Sequence, residues 1–454
     1  MKTQFFKVIL PLLVIAFCFS ACKKDPVDEP VTNLASKQSH EVVTLWADLY
    51  LVIEKDLAGF RPAPTSRALV YIGMAAYETA LPGMPDFISN STKLQGLSIP
   101  ALPKAVSEYS WEVAVNAAYA QSYKNFMPKA NAAQIQLIDD LAQLVYDNNK
   151  SKISDEVMQN SIIWGNAVAK AILDYANTDL EGASQSIDPF PTSYSPPVGP
   201  FLWRTAPGEK ALSPYFGSVR TFATFGSQLR ALPPPTPSSD PNSAYYKDFK
   251  EVNDVIANLT PDARARAEFW SDDIVGLTFS PPARILALAA QMTDKEDLNL
   301  EEALHLFLKI GIAENDAAVA AWGSKYFYNV ERPTHFIPDH INPSFKTILG
   351  NAIGKENLTP PFPGYPSGHS TFGGLGISVL AHFFGENYNF TDYCHYGRTE
   401  FASAPRSYTT QTQIGEENAY SRIPLGVHPR FDCSEGLRLG RLIGDNAVNY
   451  NVKK

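Results

Sequence analysis

Apolar side chains recur along this chain at helical spacing and almost never at the alternation a strand needs, and that rhythm limits the fold more than any other feature. Between Ser39 and Leu57, the residues Val42, Val43, Trp46, Leu49, Tyr50 and Ile53 fall on one helical face. Similar faces predict helices near 65–80, 104–127, 131–148 and 154–177, with Asn131 and Ser154 at the starts of two of them. Residues 178–241 break the rhythm with a dense run of prolines, from Pro189 to Pro241. The aromatics Trp203, Tyr215, Phe216, Phe222 and Phe225 predict that this stretch packs onto the protein as a rim or lid. Helices resume at 243–258, 262–270, 281–293 and 299–331, the last ended by Pro333. The expected architecture is all-α. Two helical bundles, 37–177 and 242–454, pack into one globule with the proline-rich loop 178–241 between them.

At 454 residues and 45% hydrophobic content the chain can bury a large core. Lys plus Arg number 38 against 47 Asp plus Glu, a net charge of −9, which gives a nucleic-acid role no electrostatic support. At the N-terminus, Lys2 and Lys7 lead into an apolar run from Val8 to Phe19, shorter than the roughly 20 residues of a membrane span. Small residues then precede Cys22. This resembles a bacterial lipoprotein signal: 1–21 would be removed, Cys22 would carry lipid, and 22–36 would be a polar tether to the cell envelope. Of the four cysteines, Cys394 and Cys433 then remain, either as a disulfide or as two free thiols.

Three segments carry chemistry. Lys325 and Arg332 lie seven residues apart, which on a continuing helix puts both cations on one face together with Trp322. In Pro360 to Gly374, prolines stiffen the backbone before Ser367, Gly368 and His369 open a helix to about Phe384. The backbone N–H groups there can cradle an oxyanion, and His369 is placed as a general acid or base. From Ser421 to Asp432 the chain packs Arg422, Gly426, His428 and Asp432 together, with Pro429 at the mouth of another helix. Asp432, one turn in, can hold one imidazole nitrogen of His428 and leave the other aimed at a ligand. Together these groups imply an oxyanion with charge spread over several oxygens.

In this order, Lys-x6-Arg-Pro at 325–333, Pro-Ser-Gly-His at 366–369 and Ser-Arg-x3-Gly-x-His-x3-Asp at 421–432 resemble the signature of the type 2 phosphatidic acid phosphatase superfamily. The length and the likeness at Phe269-Trp270 and Asn315 to Trp322 resemble its vanadium-dependent haloperoxidase branch. That resemblance implies vanadate bound through His428, with Lys325, Arg332 and Arg422 neutralising its oxygens and Ser367 and Gly368 donating hydrogen bonds. It makes His369 the acid/base, Asp432 the residue that orients His428, and Lys325 the group that polarises hydrogen peroxide before attack by halide. Trp322 and Phe362 match the aromatic residues beside vanadate in chloroperoxidase-like members. In the phosphatases of the superfamily the same pocket holds phosphate. There His428 would be the nucleophile and His369 would protonate the alcohol leaving a phosphate ester. A haloperoxidase is the leading reading, an acid-phosphatase-type phosphomonoesterase the second, and a non-catalytic oxyanion-binding lipoprotein the third.

Other polar residues are expected to be structural. Asp316 falls on the helix face opposite Lys325 and is read as a structural hydrogen-bond acceptor. His335, Asp339 and His340 are read as pocket wall, and His40, His305, His382 and His395 as packing residues.

Overall fold

A computed structural model describes residues 33–454. The expected signal sequence, Cys22 and nearly all of the expected tether lie outside the described residues. Helix α1 (Glu41–Glu54) buries Val42, Val43, Trp46, Tyr50 and Ile53, the face its periodicity sets. Helix α2 (Ala63–Ala80) is buried along its whole length. Next come α3 (Trp111–Phe126), α4 (Ala132–Asn149) and α5 (Asp155–Ala176), started by the side chains of Ser110, Asn131 and Ser154, which accept from the N–H three residues on. A short α6 (Leu180–Ile187) is capped by Asp179. After the proline-rich stretch follow α7 (Ala244–Ala257), α8 (Pro261–Phe269), α9 (Pro281–Glu296), the long α10 (Leu300–Tyr328) and α11 (Pro333–His340). The chain ends with α12 (Gly368–Phe384), the strands β1 (Asn387–Asp392) and β2 (Arg406–Thr410), then α13 (Gln411–Tyr420), α14 (Arg422–Leu425) and α15 (Arg430–Asn449). The fold is all-α, apart from this antiparallel pair, which sets Phe390 opposite Tyr408. Among the described residues, no helix is long and apolar enough to cross a membrane.

Three expectations need correction. The helix expected from 104 starts at Trp111, because Ser110 caps it there. The supposed loop from 178 opens with helix α6. Most consequentially, α10 stops at Tyr328, where Asn329 turns left-handed at φ 48°, and Pro333 does not end it. Arg332 is therefore off that helix, in extended conformation at the cap position of α11. Lys325 and Arg332 reach the same place through the non-helical segment between α10 and α11, and the helical repeat plays no part.

The proline-rich stretch packs onto the protein. Trp203, Phe216 and Phe222 are buried, whereas Tyr215 and Phe225 are exposed. The Leu212 N–H donates to the Pro361 carbonyl at 2.9 Å, and the Trp203 N–H donates to the Asn329 carbonyl at 2.7 Å. Asp316, fully buried on α10, accepts from the N–H groups of Phe222, Ala223 and Thr224 at 2.7–2.9 Å, the structural role expected of it.

Helices α12 and α15 pack backbone against backbone. Gly436, Gly440 and Gly444 recur every four residues on α15 and face the backbone and short side chains at Ser367, Thr371 and Leu375. A Cβ on Gly440 would collide with the Thr371 carbonyl oxygen. This contact joins the helix that begins at Ser367 to the helix that follows His428. Gly440→Ala is therefore expected to lower stability by at least about 2 kcal/mol, since overpacking forces backbone shifts. Denaturant unfolding checks this, and a native-like midpoint would show that the helices can separate freely.

Candidate active site

The ends of four segments meet in the interior. Lys325 comes from the last turn of α10, Arg332 from the cap of α11, Ser367 to His369 from the start of α12, and Arg422 to Asp432 from α14 and α15. Lys325, Arg332, Ser367, Arg422 and Asp432 are fully buried, and His369 and His428 nearly so. The oxyanion-site residues expected from the sequence are thus in the protein interior, and the three motif segments come together.

The cations are held largely by carbonyl oxygens. Lys325 Nζ donates to the carbonyls of Pro363, Gly364 and Pro366 at 3.0, 2.8 and 2.6 Å. Three acceptors use three N–H donors, which only the ammonium form possesses. Burial and then Arg332 pull the Lys325 pKa well below its ordinary value, while the carbonyls and Asp432 favour the charge. Arg332 Nε donates to the Phe362 carbonyl at 2.7 Å and Nη1 to the Val427 carbonyl at 3.1 Å. Arg422 Nη1 donates to the Trp270 carbonyl at 3.3 Å, and Nη2 pairs with Asp273.

His428 is oriented as its spacing to Asp432 implies, with Nδ1 2.7 Å from Asp432 Oδ2. Its Nε2 lies 3.4 Å from Arg332 Nη1. A guanidinium can only donate, so Nε2 presents its lone pair and Nδ1 carries the proton given to Asp432. Burial, Arg332 and Lys325 hold His428 neutral, and burial pushes Asp432 up to about 8. His369 Nε2 lies 3.7 Å from Asp273 Oδ2. Burial first, then Arg422, lower the His369 pKa to about 3.

Trp322 and Phe362 form one wall, their ring centroids 5.1 Å apart. Lys325 Nζ lies 5.1 Å and the Arg332 guanidinium carbon 4.9 Å from the Phe362 ring. Gly368 lies under Trp322, whose ring a Cβ there would touch at 3.6 Å. The Ser367 hydroxyl caps α12 by accepting from the Ser370 N–H at 3.3 Å.

Several donors in this region are buried without a protein partner: Arg332 Nη2, Arg422 Nε, His369 Nε2 and Trp322 Nε1. An anion with several oxygens suits such a donor set. Among the described residues, no three His, Cys, Asp or Glu side chains cluster as they would around a metal cation. Vanadate is itself an oxyanion, and a single histidine nitrogen among cations fits it.

Asp273 went unanticipated. It follows the Phe269-Trp270 pair and joins Arg422 to His369. Burial alone would raise its pKa, but Arg422 and then His369 bring it below the ordinary value. Nothing in local spacing marks it, because its partners are 96 and 149 residues away. The remaining histidines are spread elsewhere. His395 lies in a buried cluster with Arg284 and Asp272, His40 bonds the Leu298 carbonyl, and His305 packs between Phe87 and Phe383. Asp339 pairs with Arg204 of the proline-rich stretch at 2.8 Å. Cys394 and Cys433 are free thiols.

Comparison with known proteins agrees with this geometry. The family model of the VCPO second helical-bundle domain matches residues 305–453, which hold the three motif segments. The vanadium chloroperoxidase of Curvularia inaequalis is 25% identical over 305 residues, 54% of this chain and 49% of that protein, so the match spans about half the relative's length. The crystal structure of the first bacterial vanadium-dependent iodoperoxidase superposes with a TM-score of 0.79 at 26% identity, covering 95% of this chain and 99% of that one. A holo-type bacterial vanadium-dependent chloroperoxidase, at 17% identity and a TM-score of 0.67 over 87% and 93% of the two chains, shares the fold. Family model, relative and superposition agree with the motifs: in sequence over residues 305–453 and in fold over nearly its whole length, the chain is similar to vanadium haloperoxidases.

Proposed function

We propose that the protein is a vanadium-dependent haloperoxidase that oxidises halide with hydrogen peroxide to hypohalous acid. The observation that carries this reading is the cage of three buried cations around one histidine nitrogen, walled on one side by Trp322 and Phe362. Vanadate held there would supply Lewis-acid activation of peroxide toward attack by halide. His428 Nε2 would be its protein ligand, with Asp432 fixing the tautomer. Arg332 and Arg422 would neutralise its oxygens through donors that have no protein partner. Lys325, with three carbonyls on its ammonium, acts chiefly as a fixed charge. Ser367 and the Gly368 N–H, at the start of α12, would add hydrogen bonds where the helix dipole favours negative charge. The aromatic wall excludes water and suits a weakly hydrated halide. Attachment to the cell envelope through lipid on Cys22 belongs to the same proposal and rests on the sequence.

A phosphomonoesterase is the second reading, because His428 Nε2 backed by Asp432 is also the arrangement of a histidine nucleophile. One pair of assays separates the two. With vanadate, peroxide and iodide or bromide, the purified protein is expected to halogenate a dye, and His428→Ala to lose at least about 100-fold in rate. Hydrolysis of a chromogenic phosphate ester, inhibited by vanadate and without halogenation, would replace this reading with the phosphatase.

His369 makes anion binding a proton-linked event. Its folded pKa of about 3 lies below the 6.5 of an ordinary histidine, so at pH 5 the unfolded chain binds a proton that the folded protein does not. The stability contributed by this neutral histidine is present above 6.5 and declines as pH falls toward 3. An anion between Arg422 and His369 raises the folded pKa and reverses that loss. Sulfate does not titrate in this range, so its binding at pH 5–6 is expected to be accompanied by proton uptake on His369. Calorimetric titration in buffers of different ionisation enthalpy measures the uptake, and a heat independent of buffer would contradict it.

A further inference from the structure

We propose that Glu417 is a positioning residue for the oxyanion pocket, setting the aim of Arg422 through Trp270. Glu417 lies on α13, and its carboxylate accepts four hydrogen bonds, none of them from a cage residue. Trp270 Nε1 donates at 2.9 Å, Arg406 Nε and Nη2 at 2.5 and 2.7 Å, and the Tyr408 hydroxyl at 2.8 Å. The indole of Trp270 is fully buried, and its backbone carbonyl is the acceptor for Arg422 Nη1. The Glu417 carbonyl in turn accepts from the N–H of Ser421, the residue before Arg422.

These contacts close a ring. Glu417 holds Trp270 by its side chain, Trp270 holds the head of Arg422 by its carbonyl, and the N–H of Ser421, the residue before Arg422, returns to the Glu417 carbonyl. The head of Arg422 and the backbone just before it are thereby both tied to Glu417, with Arg422 Nε left without a protein partner. The second anchor of its head, Asp273, lies three residues beyond Trp270 in the same segment. A shift of Trp270 would therefore move both supports of the guanidinium together. The Glu417 carboxylate is not sealed in the core. It lines a cleft of about 890 Å³ with Arg266, Gln413, Tyr420 and Pro424, and none of the cage residues lines that cleft. Arg406, paired with this carboxylate, holds it ionised and in place.

The inference rests on the oxyanion reading of the pocket, and its test separates the two. Sulfate binding at pH 6 is measured by calorimetry for the native protein, E417A, E417Q and W270F, and for E417A in an R422K background. E417A is expected to bind about 10-fold more weakly, since a misplaced charged donor loses much of its interaction. E417Q, which keeps an acceptor for Trp270 Nε1, is expected to stay within about 3-fold of native, and W270F to weaken binding as E417A does. In the R422K background the E417A effect is expected to shrink below about 2-fold, because the two residues act through one path. Near-ultraviolet circular dichroism should change in E417A and recover in E417Q. If E417A fails to fold, W270F and E417Q still decide. Native-like sulfate affinity in E417A or W270F, or an equal loss with and without Arg422, would overturn the role of Glu417 and leave the oxyanion reading standing. No sulfate binding by the native protein would overturn both.

Discussion

Three cations buried side by side need partners that do not cancel their charge. A carboxylate for each would satisfy the donors and leave no field for an anion. Leaving them bare would cost several kcal/mol per ion in desolvation. This protein uses mainly carbonyl oxygens, with one carboxylate, Asp273, on Arg422. Lys325 takes three, Arg332 two and Arg422 one, and those of Lys325 together with one of those of Arg332 come from the single stretch Phe362 to Pro366. Prolines at 360, 361, 363 and 366 suit that task. They lack the N–H that a helix or ladder would use, and their fixed φ lets successive carbonyls be aimed with little entropy left to lose. The stretch is thus the inner wall of the cage rather than a connector.

The cage depends on helix contacts that lie outside it. Ser367 and His369 stand at the start of α12, His428 and Asp432 at the start of α15, and the glycine face of α15 sets how close those two starts can come. The Ser367 N–H also donates to the Asp432 carbonyl at 3.0 Å, so the two helix mouths are joined directly. Backbones in contact leave no side-chain layer to repack. A change in the helix interface therefore transmits to the site as a displacement, which dense interiors do not absorb.

How much of this was legible in the sequence depended on range. Periodicity and caps are local, and α1, α4 and α5 fall where Val42 to Ile53, Asn131 and Ser154 put them. The His428–Asp432 hydrogen bond is four residues long and follows from helix geometry alone. The pairing of Lys325 with Arg332 was right in place and wrong in cause. An asparagine in the left-handed region ended α10, and a seven-residue spacing cannot show whether a helix continues across it. Asp273 and Glu417 were not legible, because a carboxylate acquires its role from partners that only the fold brings near. Helix α6 was hidden by the prolines that follow it, although Asp179 is an ordinary cap for it.

The proposed preference of the pocket for an anion follows from the same arrangement. Lys325, Arg332 and Arg422 are fixed by the framework before any ligand arrives, so their mutual repulsion is built into the folded state. At an effective dielectric of about 20, two unit charges 4 Å apart interact by about 4 kcal/mol. An incoming cation would meet three such repulsions, and the carboxyls of Asp432 and Asp273 are already engaged with His428 and Arg422. An anion meets three attractions and also relieves the repulsion among the cations, so its binding is coupled to folding by mass action. Because the donors are already oriented, little reorganisation accompanies that step, and the field is available at the moment charge develops on the bound oxygens. The apolar faces of Trp322 and Phe362 strengthen it by keeping water from the side where Lys325 and Arg332 lie over the Phe362 ring.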